Sequence, residues 1–276
     1  MGLIRVQRGV AAQLARTFYV GETPTDVAGD VTVTVTRLDG SAVVSGVASH
    51  PGPAGQYTFA VPAQARLDAL VVDWSGSLGR YRDLVEVVGG FYFDLAEART
   101  EHGLSLAQHP TEKLIRKRLE VEVECERICG QAFVPRFERA EVRGDGRGAL
   151  LLPRVNVRAL RAVTVAGTVW SPAEVAAVDV AASGVLRHPV GWSAGPVVVE
   201  YEHGMDMPPE DLRTAAMLRL RSRVHMTTSG VPDRAVSWSA ADGGTYRIAL
   251  PSGERTGIPE VDAAYERHTV DMGGFA

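Results

Sequence analysis

The stretch VTVTVTRLDGSAVV, residues 31–44, decides the first part of the fold. Val31, Val33 and Val35 alternate with Thr32, Thr34 and Thr36. Successive side chains of a strand point to opposite faces, so this period puts valines into a core and threonines toward water. Asp39-Gly40 follows, the dipeptide that tight hairpins favour because their turns need positive φ, and Ala42 to Val44 returns as the partner strand. Tyr57, Phe59 and Val61 repeat the alternation, and Leu70, Val72 and Trp74 do so again. With runs near Ile4 to Gln7, Leu14 to Val20 and Leu84 to Val88, this gives about seven short strands between Gly and Pro turns. Residues 1–89 are therefore expected to form an immunoglobulin-like β-sandwich without its disulfide, a binding or spacing module with no cluster of His or acids.

Gly89-Gly90 is the expected joint to a second module over 90–230. Asp94 with Glu97 has the form of a capping box and Gly103 that of a stop, which predicts a helix over about 95–102. Pro110 opens and Gly130 closes a longer helix, about 110–129. In it Leu114, Val121, Cys125 and Ile128 share a stripe, and Ile115, Leu119 and Val123 widen the apolar surface, so two neighbours must cover it. Arg118, Glu122 and Glu126 run through that surface at four-residue spacing, either pairing charges at a subunit contact or facing solvent. Leu119 to Cys125 also alternates with period two, as a strand would.

Strand signals return over 133–201. Asp206, Pro208, Pro209, Glu210 and Asp211 then announce a helix over about 208–228, with acids at the positive end of its dipole. Leu212, Ala216, Leu220 and Val224 give its buried face, and Arg213, Arg219, Arg221 and Arg223 a basic one. Residues 231–276 read as an extended tail with a hairpin near Ala235 to Ser239 and Tyr246 to Leu250. Its Trp238, Tyr246, Ile248, Ile258, Val261 and Tyr265 are costly to leave in water, so it is expected to dock on its own subunit, a neighbour or a partner.

Composition narrows the function classes. The chain has 276 residues, 45% hydrophobic and 22% charged, enough to build real cores. Its 29 basic and 33 acidic residues sum to −4, so it does not hold nucleic acid by its overall field. Nearly all the cations are arginine, with Lys113 and Lys117 the exceptions. Apolar runs are far too short for a membrane span, and nothing between Met1 and Thr17 suggests secretion. Cys125 and Cys129, four apart on a helix, are expected as reduced buried thiols rather than metal ligands.

Three motifs tempt. Gly191-Trp192-Ser193-Ala194-Gly195 matches a hydrolase nucleophile elbow, but the β-rich Val197 to Tyr201 follows where an elbow needs a helix, so a turn between strands is expected. Arg143-Gly144-Asp145 reads as a turn. Glu202-His203 offers one carboxylate and one imidazole with no further ligands at suitable spacing. Neither a Walker loop nor a Rossmann fingerprint is present, and no cofactor, metal or catalytic residue is expected.

The second module is similar to the head-to-tail adaptor, or connector, proteins of long-tailed double-stranded DNA phages. The matching stretches are Arg118 to Phe133 (RLEVEVECERICGQAF), Leu150 to Thr168 (LLLPRVNVRALRAVTVAGT) and Val198 to Met217 (VVEYEHGMDMPPEDLRTAAM). The N-terminal sandwich and the tail with Thr256 to Asp262 look like the larger adaptors of that class. The resemblance implies an α+β multidomain protein in the virion neck, a dodecameric ring that binds the portal and the head-closure protein and continues a channel through which DNA passes unheld. On it, Arg118, Leu119, Glu122, Val123 and Glu126 are the expected subunit interface, and Trp238, Tyr246, Ile258, Val261 and Tyr265 the expected portal-docking residues. The rivals are another neck or tail component, such as a head-closure protein or tail terminator, an adhesin or carbohydrate-binding module using the sandwich, and a serine hydrolase using Ser193.

Overall fold

The computed structural model describes residues 2–226, 237–239, 245–247 and 255–270. Along the chain run β1 (Gly2–Gln7), β2 (Ala12–Thr17), β3 (Tyr19–Val20), β4 (Thr23–Pro24), β5 (Thr32–Arg37), β6 (Ala42–Val47), β7 (Gln56–Val61), β8 (Asp68–Gly76) and β9 (Gly79–Val88). Helices α1 (Leu95–His102) and α2 (Thr111–Cys129) follow. Then come β10 (Arg136–Gly144), β11 (Ala149–Leu151), β12 (Val157–Val165), β13 (Thr168–Val169), the short helix α3 (Pro172–Ala176), β14 (Asp179–Val180), β15 (Val185–Arg187) and β16 (Gly195–His203). Last are α4 (Glu210–Met226), β17 (Ser237–Ser239), β18 (Thr245–Arg247) and α5 (Pro259–Arg267).

These elements pack as two units, each built from two separated pieces of chain: Met1–Gly90 with Pro135–Gly204, and Phe91–Val134 with Met205–Ala276. The expected core over 90–230 is thus divided, its strands joining the sandwich's unit and its helices joining the tail. The chain leaves the first unit and re-enters it at neighbouring points, where Gly89 N donates to Pro135 O at 2.9 Å. A helical insertion between strands therefore requires no long crossover.

In the first unit a five-stranded sheet, ordered β1-β9-β8-β5-β6, shares one core with the β2-β7 pair. Val33, Val35, Leu70, Val72 and Trp74 come from the first sheet, and Leu14, Tyr57, Phe59 and Val61 from the second, so the period-two residues meet as a β-sandwich. Gly40 turns at φ +86° while the Asp39 carboxylate accepts from Ser41 N at 2.8 Å. Buried Asp83 on β9 accepts from Gly2 N at 3.0 Å and from Arg16 at 3.1 Å, fastening β1 and β2. The unit's second β-module joins the sheet β10-β16-β12-β13 to β11-β15-β14 around Val163, Leu186, Trp192, Val197, Val199 and Tyr201.

The second unit is helical. Asp94 caps α1 by accepting from Ala96 N at 3.0 Å, and Gly103 ends the helix in the left-handed region at φ +64°. Its core takes Leu114, Val121, Cys125 and Cys129 from α2 and the expected Leu212, Ala216, Leu220 and Val224 from α4. It also takes Val261, Ala264 and Tyr265, which corrects the reading of an extended tail: Pro259–Arg267 is a helix. Three- and four-residue spacing puts those side chains on one face, and a helix satisfies its backbone while burying them. β17 and β18 pair with Trp238 opposite Tyr246. The side chains of those two residues, and Ile248, lie outside the described residues.

A Cβ on Gly89 would lie 2.7 Å from the Pro135 ring, a rigid neighbour. Gly89→Ala should therefore destabilise the protein by about 1–3 kcal/mol through overpacking. Equilibrium urea denaturation checks this, with Gly52→Ala, where nothing lies within 4 Å, as the control.

Candidate functional site

Helix α2 carries the sequence-predicted interface residues, and its faces have separate tasks. Glu122 is fully buried, and its carboxylate accepts from Tyr92 N at 3.0 Å. Glu126 accepts from the Tyr92 hydroxyl at 3.1 Å. The Arg118 guanidinium donates to Phe93 O at 3.3 Å and lies 3.5 Å from the Phe91 ring centroid. The expected line of contact charges is therefore a clamp on the segment Phe91 to Phe93 within the subunit. Burial pushes the Arg118 pKa below its ordinary value against the pull of Glu122 and Asp94.

On another face of α2, Glu120 and Glu124 meet α4. Arg219 donates to both Glu124 oxygens at 2.8 and 2.9 Å, and Arg223 reaches Glu124 at 2.8 Å and Glu120 at 3.0 Å. Lys117 reaches Glu120 at 2.8 Å. Burial pushes the Glu124 carboxyl up, but the hydrogen bonds from Arg219 and Arg223 outweigh it and hold the group below its ordinary 4.5. The sequence contained the signal for this ladder: acids four apart on α2 and arginines four apart on α4, matched in antiparallel order. Arg213 pairs with Glu97 and Glu210, so of the four α4 arginines read as a basic surface three are neutralised inside the unit.

The remaining face is open, an apolar strip among the exposed Glu112, Arg116 and Arg127. Ile115 is 43% exposed and Val123 is 38% exposed, with Leu119 half-buried between them. Of the expected interface residues, Leu119 and Val123 thus stay available, whereas Arg118 and Glu122 do not. Of the expected portal-docking residues, Val261 and Tyr265 are buried in their own subunit and Ile258 packs partly buried against the same core. Those side chains cannot also anchor a partner.

Other candidates resolve into structural roles. The Cys125 and Cys129 sulfurs lie 3.9 Å apart as buried free thiols, and burial pushes the Cys125 pKa well up, away from the reactive thiolate. Ser193 lies in the turn between β15 and β16, where a strand follows it, so the strand-turn-helix of an elbow is not formed. Gly144 is required there, since a Cβ would lie 2.2 Å from Ser193 O. His203 is buried, with Nε2 3.5 Å from Glu138. Among the described residues no three His, Cys, Asp or Glu gather as a metal site, and no helix is long and apolar enough to cross a membrane.

No family model and no curated protein matches the chain. Among solved structures it is similar to the Yersinia pseudotuberculosis adhesin InvE, at 12% identity and a TM-score of 0.23 over 71% of this chain. It spans about half of that chain, 48%. A chimeric titin Z1Z2 tandem matches at 14% identity and TM-score 0.22, covering 73% of this chain and 80% of titin's. Extracellular domains 3–5 of Drosophila OTK match at 9% and 0.20, covering 75% and 62%. Likeness at this level determines neither topology nor function.

Two outcomes check the division of α2 into faces. Glu122→Ala should cost about 1–3 kcal/mol by removing the buried carboxylate that accepts from Tyr92 N, whereas Val123→Ser should stay within about 0.5 kcal/mol. Both are read from denaturant midpoints. The Glu124 ladder contributes stability that is present above pH 4.5 and lost as pH falls through the lowered folded value. Glu124→Gln should flatten that part of the acid limb in stability-against-pH titrations.

Proposed function

We propose that the chain is a structural protein of a phage neck, forming a ring between the portal and the head-closure protein and continuing the DNA channel. The observation that carries this reading is the open apolar stripe of Ile115, Leu119 and Val123, flanked by exposed Glu112, Arg116 and Arg127, on a helix whose Glu122, Glu124 and core residues are engaged within the subunit. Contiguous exposed apolar groups mark association sites, and fully burying each side chain of this size contributes about 1.5–3 kcal/mol. The stripe overlaps the stretch Arg118 to Phe133, which resembles the adaptors, and α2, the β10–β16 strands and α4 follow in the order that resemblance implies.

The immunoglobulin-like reading of the sandwich is supported by its strand order. β1, β9, β8, β5 and β6 form one sheet and β2 with β7 the other, as in a sandwich whose C, F and G strands gain a neighbour at either edge. Such a module decorates the ring's rim. Portal docking then falls to the segment of Trp238 and Tyr246, since Val261 and Tyr265 are occupied.

Cryo-electron microscopy of purified particles tests the reading, with the protein expected as a closed ring directly beneath the portal. Absence from the particle, or lone copies far from the neck, refutes it. The double variant Ile115→Asp/Val123→Asp should remain folded by circular dichroism yet fail to complete rings, and particles carrying it should lack tails.

A further inference from the structure

The connector between α1 and α2, residues 103–110, is held to the helical unit by two buried side chains. Leu104 is fully buried in the apolar core and His109 is 4% exposed, while Ser105, Leu106, Ala107 and Gln108 between them face solvent. The His109 amide donates to Ser105 O at 2.9 Å, and the Leu104 amide to Arg99 O at 3.2 Å. The His109 ring meets the ring of His225, near the end of α4, edge to face, with centroids 6.0 Å apart at 79°.

His109 is a poor place for a positive charge. Its Nδ1 is buried and has no hydrogen-bond partner. Among the described residues, the charged groups that act on its ring are Lys113 of α2, His225 of α4 and Arg99 of α1, and none of them is a carboxylate. Arg99 donates to Leu104 O at 2.8 Å, His109 O at 2.9 Å and Thr111 Oγ1 at 3.2 Å, all neutral oxygens, so no paired acid offsets its charge. The positive end of the α2 dipole begins at Thr111. Burial first, then Lys113, His225 and Arg99, hold the His109 pKa below its ordinary 6.5.

We propose that His109 is an acid-released latch: neutral, it holds the connector against the end of α4, and protonated, it is expelled and the connector opens. Opening gives the imidazolium the water that burial denies it. Because the closed state binds the proton less readily than the open one, closure is firmest above pH 6.5 and weakens as pH falls from there toward the lowered closed-state value. That window lies above the one in which the Glu124 ladder is lost, below pH 4.5, so the connector opens while α2 and α4 stay joined. His102, on the last turn of α1, differs in having a carboxylate, Glu101, acting on it together with Arg221. The latch does not depend on the neck reading.

Hydrogen exchange of the full chain, followed by mass spectrometry at about pH 7.5 and about pH 5.5 on either side of the histidine range and corrected for intrinsic rates, tests it. Peptides over 103–110 should open up to about tenfold more often at the lower pH, as uptake of one proton on opening allows, while peptides over 118–126 of α2 stay unchanged. His109→Gln cannot take the proton and should abolish the difference. Lys113→Glu, at a half-buried position, puts a carboxylate beside the imidazolium. It too should abolish the difference, and it should raise the His109 pKa measured by NMR; this variant decides the question if His109→Gln misfolds by circular dichroism. His102→Gln should leave the response in place. Equal protection of the wild-type connector at both pH values, a response that survives His109→Gln or Lys113→Glu, or one that disappears in His102→Gln would each overturn the latch.

Discussion

Two carboxylates on α2, two residues apart, the buried Glu122 and the half-buried Glu124, hold the helical unit together. Glu122 takes the Tyr92 amide and so fixes where the chain enters the unit, while Glu124 takes two guanidinium groups and so fixes α4. A buried carboxylate without such partners would be strongly destabilising, because its hydration is lost. The sequence can therefore place glutamates at these positions only if the entering segment and α4 arrive in one arrangement. The unit's two pieces of chain are far apart in sequence, and Glu124 ties them in register in a way that apolar contacts, which are non-directional, do not.

With two faces of α2 committed, its third face acquires its meaning. Ile115, Leu119 and Val123 could have packed on α5, but α5 meets the core through Val261, Ala264 and Tyr265 and seals the side of Cys129, whose sulfur contacts Tyr265 O at 3.5 Å. What remains is a narrow apolar strip bounded by charge. That arrangement limits non-specific aggregation and still rewards a partner helix or loop of matching shape.

Much of this was legible in the sequence, and the remainder fails for an identifiable reason. Val31, Val33 and Val35 face a core as their period requires, Asp94 and Gly103 bound α1, and the four-residue row from Leu212 to Val224 is buried. These are local signals, decided within a few residues of chain. The faults are all non-local. Whether Arg118, Glu122 and Glu126 meet solvent, a neighbour or their own chain depends on where Phe91 to Phe93 lies, which no spacing encodes. Val261 and Tyr265 read as a tail seeking a partner because Gly, Pro and Ser precede them, yet the helix they define returns to α2 and α4. The division of the chain into interleaved units follows from Pro135 re-entering beside Gly89, a contact without a pattern.

The arginine excess takes on a physical sense in the same frame. Among the described residues, arginines pair with acids throughout both units: Arg16 with Asp83, Arg37 with Asp68, Arg139 with Glu200, Arg161 with Glu202, and Arg219 and Arg223 with Glu124. A guanidinium held by a carboxylate within its own subunit contributes little to any long-range field and cannot neutralise a passing phosphate without giving up its partner. Each phosphate so neutralised would add to binding and steepen its dependence on salt. A protein built to let a duplex slide by needs its cations engaged beforehand, and arginine, with its planar fork, is the cation best suited to being engaged. On the neck reading, arginines already engaged within their own subunit would leave a passing duplex unheld.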